Sequence, residues 1–153
     1  MRKKSKYKPK GVIMDCMSWL KSGMMKLTDQ ADANIILRTK NHMALDLIRK
    51  GEGAKADIET LIGAFNMAEA LTMLDVGAEF KPEIIEGQYA IKTLAARSRW
   101  VFTARELTAV NLAMEIHDAQ LDVATIRDIE KALDIEAHAI RTKQAENILQ
   151  VSL

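Results

Sequence analysis

Apolar residues recur at helical spacing along most of the chain. Between positions 56 and 76 they cover more than one helical face, which is typical of a helix at the centre of a bundle, and Gly77 is expected to end it. Between positions 33 and 50 they fall on one face: Ile36, Met43, Leu47 and Ile48. No stretch alternates with the period of two expected of a strand. The pattern predicts an all-α fold, a compact bundle of about five helices.

Proline and threonine mark where the later helices begin. Pro82 suits a first helical turn, because the N–H that it lacks would have no intrahelical partner there. Thr103 with Glu106, and Thr125 with Asp128, have the spacing of capping boxes, in which two side chains satisfy two otherwise unpaired backbone N–H groups. Helices are therefore predicted to open near positions 82, 103 and 125.

The charges are distributed unevenly. The first ten residues contain six basic and no acidic side chains, whereas the rest of the chain has 16 basic and 21 acidic ones. We interpret residues 1–11 as a basic, flexible N-terminal arm and residues 12–153 as a single helical domain. The arm is either a solubilising tail or a binder of phosphates. Its candidate nucleic-acid-binding residues are Arg2, Lys3, Lys4, Lys6, Tyr7, Lys8 and Lys10.

Motifs for catalysis or export are missing from the sequence. No glutamate stands three residues before any of the three histidines, and no Gly-x-Ser-x-Gly motif occurs, so we expect neither a metal site, a cofactor nor an enzyme. The single cysteine, Cys16, rules out an intramolecular disulfide and fits a reducing compartment. No run approaches the ~20 apolar residues of a membrane span. A cytoplasmic protein without membrane contact is expected.

A polar stripe on the helix after Thr103 is the main candidate outside the arm. Its members follow helical spacing, with His117 and Gln120 beside them: Asn111, Glu115, Asp118 and Asp122. The stripe is either a solvated face or part of a buried polar network with Asn66 and Glu69. As a partner-binding surface, Glu115, Asp118 and Asp122 would imitate the charge of a nucleic acid.

The segment 125–143 permits two interpretations. As a helix-turn-helix it would place His138, Arg141, Thr142 and Gln144 in the DNA major groove. Glu130 and Asp134 argue against this, because they stand where the motif prefers a small residue and a glycine. As one continuous helix, the segment has apolar residues at near-heptad spacing that would allow a homodimer: Ile126, Ile129, Leu133, Ile140 and Ile148.

Two segments carry a resemblance to known proteins. Asn-Met-Ala-Glu-Ala at 66–70 and Met-Glu-Ile-His-Asp-Ala-Gln-Leu-Asp at 114–122, after a Lys-rich start, resemble small uncharacterised helical proteins of proteobacterial phages and prophages. The resemblance implies an accessory protein that acts by binding in the cytoplasm of a bacterial host. Its expected partner is nucleic acid, bound non-specifically through the arm, or a host protein inhibited through the acidic stripe.

Overall fold

The computed structural model describes residues 24, 26 and 31–142 of the chain. This part contains five α-helices: α1 (Ala31–Arg49), α2 (Lys55–Met73), α3 (Lys81–Ala95), α4 (Ala104–Val123) and α5 (Ile126–Arg141). A short 3₁₀ helix, Ala78–Phe80, connects α2 to α3. Strand-like pairing within the described residues is confined to one isolated bridge between Lys26 and Thr125. The predicted all-α fold class is confirmed.

Helix α2 lies at the centre of the fold and packs against the other four helices. Eleven of its 19 residues are buried, and the bulky side chains among them are fully inaccessible: Ile58, Leu61, Phe65 and Leu71. Burial of one such side chain contributes about 1.5–3 kcal/mol to folding. The central position predicted from the apolar pattern is therefore correct, and α2 is the scaffold on which the other helices are placed.

The end of α2 differs from the prediction. The helix stops at Met73, four residues before Gly77. The Val76 N–H donates to the Leu71 carbonyl at 3.0 Å, and Asp75 adopts a left-handed backbone conformation with φ of 61°. This turn satisfies the last carbonyls of the helix before the glycine is reached. Gly77, with φ of 69°, instead precedes the 3₁₀ helix.

Helices α3 and α4 approach each other closely at Gly87. A Cβ atom at Gly87 would lie 2.4 Å from the Ala113 Cβ and 3.5 Å from the Phe65 ring. Only a glycine fits such a contact without moving a helix. The close approach fixes α3 beside α4, with α2 behind both.

The predicted helix starts are confirmed. The Thr103 hydroxyl accepts the Glu106 N–H at 3.2 Å, and the Glu106 carboxylate accepts the Thr103 N–H at 2.9 Å. Thr125 and Asp128 form the same reciprocal pair at 3.1 and 2.9 Å. Pro82 lies in the first turn of α3. The starts at Thr103 and Thr125 can be predicted from the sequence because capping is a local interaction across three residues.

The predicted buried face of α1 is largely wrong. Ile36 and Met43 are 67% and 59% exposed, Leu47 is half-buried, and Ile48 alone of the predicted set is buried. The buried residues of α1 are instead Asn34, Asn41, Ala44, Leu45 and Ile48. The helix is rotated so that polar side chains meet α4, and contacts with α4 cannot be deduced from the apolar spacing of α1 alone.

The helix-turn-helix interpretation is also wrong where the structure describes the segment. Helix α5 runs without interruption from Ile126 to Arg141, and Asp134, the proposed turn residue, lies in its middle. Neither glycine nor proline occurs between Ile126 and Arg141, so nothing interrupts the backbone hydrogen bonds. Lys143 and Gln144 lie outside the described residues. None of the described helices is long and apolar enough to cross a membrane.

Candidate functional site

The candidate residues of the arm lie outside the part of the chain that the structure describes. They are Arg2, Lys3, Lys4, Lys6, Tyr7, Lys8 and Lys10. Their assignment to nucleic-acid binding therefore stays a prediction from sequence.

Two acids of the polar stripe pair with α1. The Arg38 guanidinium donates to the Asp122 carboxylate and, at 2.9 Å, to the Asp118 carbonyl. The His42 Nε2 lies 2.7 Å from the Asp118 carboxylate. Arg38 is itself held by Asn34, whose side-chain oxygen accepts its Nε–H at 2.9 Å. We call this group of five side chains the α1–α4 junction.

The rest of the stripe faces solvent. Asn111 and Glu115 are exposed, and no ion pair of Glu115 occurs within the described residues. Of the three acids predicted to bind a partner, Glu115 alone has no basic side chain paired with it in the described part of the chain. The predicted acidic face is consequently smaller and less charged than the sequence suggests.

His117 and Gln120 are buried structural residues. The Gln120 Nε2 donates to the Ala68 and Val76 carbonyls at 3.0 and 2.8 Å, which ties α4 to the end of α2. His117 is fully buried, its Nδ1 lies 3.5 Å from the Gln120 Oε1, and burial lowers the pKa of its imidazole to about 4. At neutral pH the ring is therefore uncharged.

The predicted network between α2 and the polar stripe does not form. Asn66 and Glu69 meet Gln88 of α3 instead of Asn111, Glu115 or Asp118. The Gln88 Nε2 donates to the Glu69 carboxylate at 2.9 Å, to the Phe65 carbonyl at 3.2 Å and to the Asn66 side-chain oxygen at 3.4 Å. Gln88 is not among the residues predicted from the sequence. It stands four residues after Ile84 and three before Ile91, on the buried face of α3, and a polar residue at that position is the signal that would have found it.

These polar side chains lie at the floor of a cleft of about 850 Å³. Helix α2 forms the floor, with α3 and α5 on either side, and we call this the α3–α5 cleft. A volume of this size is typical of small-molecule sites. Its walls combine aliphatic residues with ionisable side chains, among them Lys92, Asp134, Glu136 and His138. His138, assigned to DNA reading in the helix-turn-helix interpretation, thus borders the cleft.

Glu136 is the electrostatically unusual group of the cleft. Burial raises the pKa of its carboxyl. No ion pair of Glu136 occurs within the described residues. A half-buried carboxylate without a counter-ion is costly for the fold, because desolvation disfavours its charge. A carboxyl in a cleft whose pKa is shifted by desolvation is a candidate for a functional group.

Metal binding finds no support in the described residues. They contain no group of three or more histidine, cysteine, aspartate or glutamate side chains placed to hold an ion.

Comparison with known proteins identifies no relative of this chain. No protein-family model, no curated protein and no solved structure matches the chain.

Proposed function

We propose that the protein acts by binding, as a phage or prophage accessory protein whose basic arm engages nucleic acid without strong sequence preference. The observation that carries this proposal is the separation of charge. Six of the first ten residues are basic, whereas residues 31–142 contain 18 acidic and 13 basic side chains. A body with a net charge of −5 repels phosphates, so the arm supplies the attraction.

Phosphate binding by the arm predicts a steep dependence on salt. Each phosphate neutralised on duplex DNA adds about −0.9 to the slope of log affinity against log salt concentration, so six contacts give a slope near −5. We expect similar affinity for duplexes of different sequence, because contacts to phosphates carry no sequence information. Tyr7 adds base stacking on single strands only.

Fluorescence anisotropy with a labelled 20-base-pair duplex and a labelled 20-nucleotide single strand tests the proposal. The intact chain is compared with a variant in which the six basic residues of the arm become glutamine. A matched control changes six exposed basic residues of the helices to glutamine: Lys40, Lys55, Lys81, Arg99, Arg105 and Lys131. Both variants lose six positive charges.

We expect the arm variant to lose binding and the control to lose much less. Equal losses in the two variants would show that overall charge, and not the arm, governs binding. An arm variant that binds as tightly as the intact chain would overturn the proposal.

Inhibition of a host protein through Glu115, Asp118 and Asp122 is the weaker alternative. Asp118 and Asp122 already pair with His42 and Arg38. A partner would have to compete with these contacts for two of the three charges, so the arm is the better candidate.

A further inference from the structure

The α3–α5 cleft contains a deeply buried acceptor that the fold leaves without a donor. Gln88 is 2% exposed, and its Oε1 has no hydrogen-bond partner. The orientation of the amide is fixed, because the Phe65 carbonyl and the Glu69 carboxylate accept only, and both face its Nε2 at 3.2 and 2.9 Å. A flipped amide would place oxygen against oxygen. A buried acceptor without a donor costs about 1–3 kcal/mol, so a donor from outside the fold is expected to satisfy it.

Three carboxylates line the same cleft as this acceptor. Glu69 is joined to Gln88, and Gln88 is joined to Asn66; Glu136 lines the same cleft. Asp134 adds a third acid to the cleft. None of these three acids has an ion pair among the described residues.

The basic groups of the cleft do not compensate its acids. Lys92 lines the cleft and forms no ion pair with them in the described part of the chain, and His138 lines it as well. Three carboxylates therefore outnumber one lysine and one histidine. The excess of negative charge favours a cationic ligand.

The remaining surface of the cleft is apolar. Its aliphatic lining comes from three helices: Ala70, Met73, Ile85, Ile135 and Ala139. Tyr89 is 70% exposed at the same cleft, and an aromatic ring beside a carboxylate cluster also attracts cations. A charged head with an aliphatic body matches both parts of the lining.

We propose that the α3–α5 cleft binds a primary ammonium group carried on an aliphatic chain. The ammonium donates its three N–H groups to the Gln88 Oε1 and to the carboxylates of Glu69 and Glu136. The aliphatic chain lies against Met73, Ile85 and Ile135. Ammonium binding in the cleft does not require that the arm binds nucleic acid.

Isothermal titration calorimetry at pH 7 with three probes of equal chain length tests the charge requirement. n-Hexylamine carries the ammonium, 1-hexanol is neutral and hexanoate is an anion. We expect hexylamine to bind at least tenfold more tightly than hexanol, and hexanoate not to bind. Equal affinity for hexylamine and hexanol would overturn the proposal.

Two exchanges of glutamate for glutamine on α5 test the acceptors. Glu136→Gln removes the charge inside the cleft and should weaken hexylamine binding at least tenfold, while hexanol binding stays unchanged. Glu130→Gln makes the same change on the exposed side of α5 and should leave hexylamine affinity within twofold. Equal effects of the two exchanges would contradict the site.

A second pair of variants tests the cleft without changing an acidic residue. Ala139→Phe places a ring in the cleft and should abolish hexylamine binding, whereas Ala137→Phe, on the exposed face of α5, should not. Circular dichroism of each variant verifies that the helices persist. Unchanged hexylamine affinity in a folded Ala139→Phe variant would overturn the proposal.

The source of the ammonium is either a free amine or a lysine side chain, and a chain lacking residues 1–11 distinguishes them. If lysines of the arm fill the cleft, this truncation should tighten hexylamine binding by removing a competitor. If the ligand is a free amine, the affinity should not change. Both results keep the ammonium site, and they differ only in its occupant.

Discussion

The α1–α4 junction and the α3–α5 cleft both contain charged side chains between helices, but they differ in how those charges are compensated. In the junction, Asp118 and Asp122 are each paired with a basic side chain of α1. In the cleft, Glu69 and Glu136 have no such partner among the described residues. An opposite charge nearby offsets the desolvation of a carboxylate, whereas a half-buried carboxylate without such a partner keeps that cost.

The largest expected effect is that of acid on the stability of the fold, through His117 on α4, which precedes the junction residue Asp118. Burial lowers the pKa of His117 to about 4 from its ordinary value of 6.5. Between these values the unfolded chain binds the proton more readily than the folded chain, so the free energy of unfolding falls as the pH falls. We expect a loss of about 2 kcal/mol from pH 7 to pH 5.

Urea unfolding of His117→Gln at pH 7 and pH 5 measures this loss. The variant should lose most of the pH dependence, whatever its absolute stability. His138→Gln, at the exposed edge of the cleft, is the matched control and should keep the dependence of the intact chain. An unchanged pH dependence in His117→Gln would show that another group causes it.

The next largest effect is expected when one basic residue of each region is replaced by methionine. Arg38→Met removes the contacts to Asn34, Asp118 and Asp122, and we expect it to lower the free energy of unfolding by about 1 kcal/mol. Lys92→Met removes no ion pair of the described residues and should cost less than about 0.5 kcal/mol. Urea unfolding at pH 7 measures both.

A double-mutant cycle with Asp122→Asn separates the ion pair from the lost packing of the Arg38 side chain. Arg38→Met and Lys92→Met could instead lower the free energy of unfolding by the same amount. In that case the junction does not hold α1 against α4, and the two regions do not differ in how their charges contribute to stability.

The smallest expected effect is a gain in stability on replacing Glu136, opposite in sign to the losses above. Burial raises the pKa of Glu136, so the folded chain favours its protonated form, and its contribution to stability is lost as the pH rises through the folded pKa. Glu136→Gln should therefore raise the free energy of unfolding at pH 7. Because Glu136 is only half-buried, solvent screens part of the cost of its charge, and we expect a gain of about 0.5 kcal/mol or less.

Thermal unfolding of Glu136→Gln and Glu130→Gln at pH 7 checks the sign of this change. The exposed Glu130 should give no gain. If Glu136→Gln is less stable than the intact chain, the carboxylate stabilises the fold as a hydrogen-bond acceptor. The acids of the cleft would then resemble those of the junction.

The sequence predicted the cleft less well than the fold. Asn66 and Glu69 were identified as polar residues within an apolar helix, but they were assigned to the wrong partner helix. Neither Gln88 nor Glu136 was identified, although the position of Gln88 on an apolar face was a usable signal. The sequence contains no signal for Glu136, because the burial of this residue depends on how α5 lies against α2.

The sequence by itself determined the helical class, the central place of α2 and the starts of α3, α4 and α5. These features depend on apolar content and on contacts within three or four residues, which the order of residues specifies directly. Only the tertiary structure decided which face of α1 is buried, that Asp118 and Asp122 pair with α1, and that Gln88 and Glu136 share a cleft. Each of these depends on the rotation and packing of helices distant in sequence, and local spacing does not specify that packing.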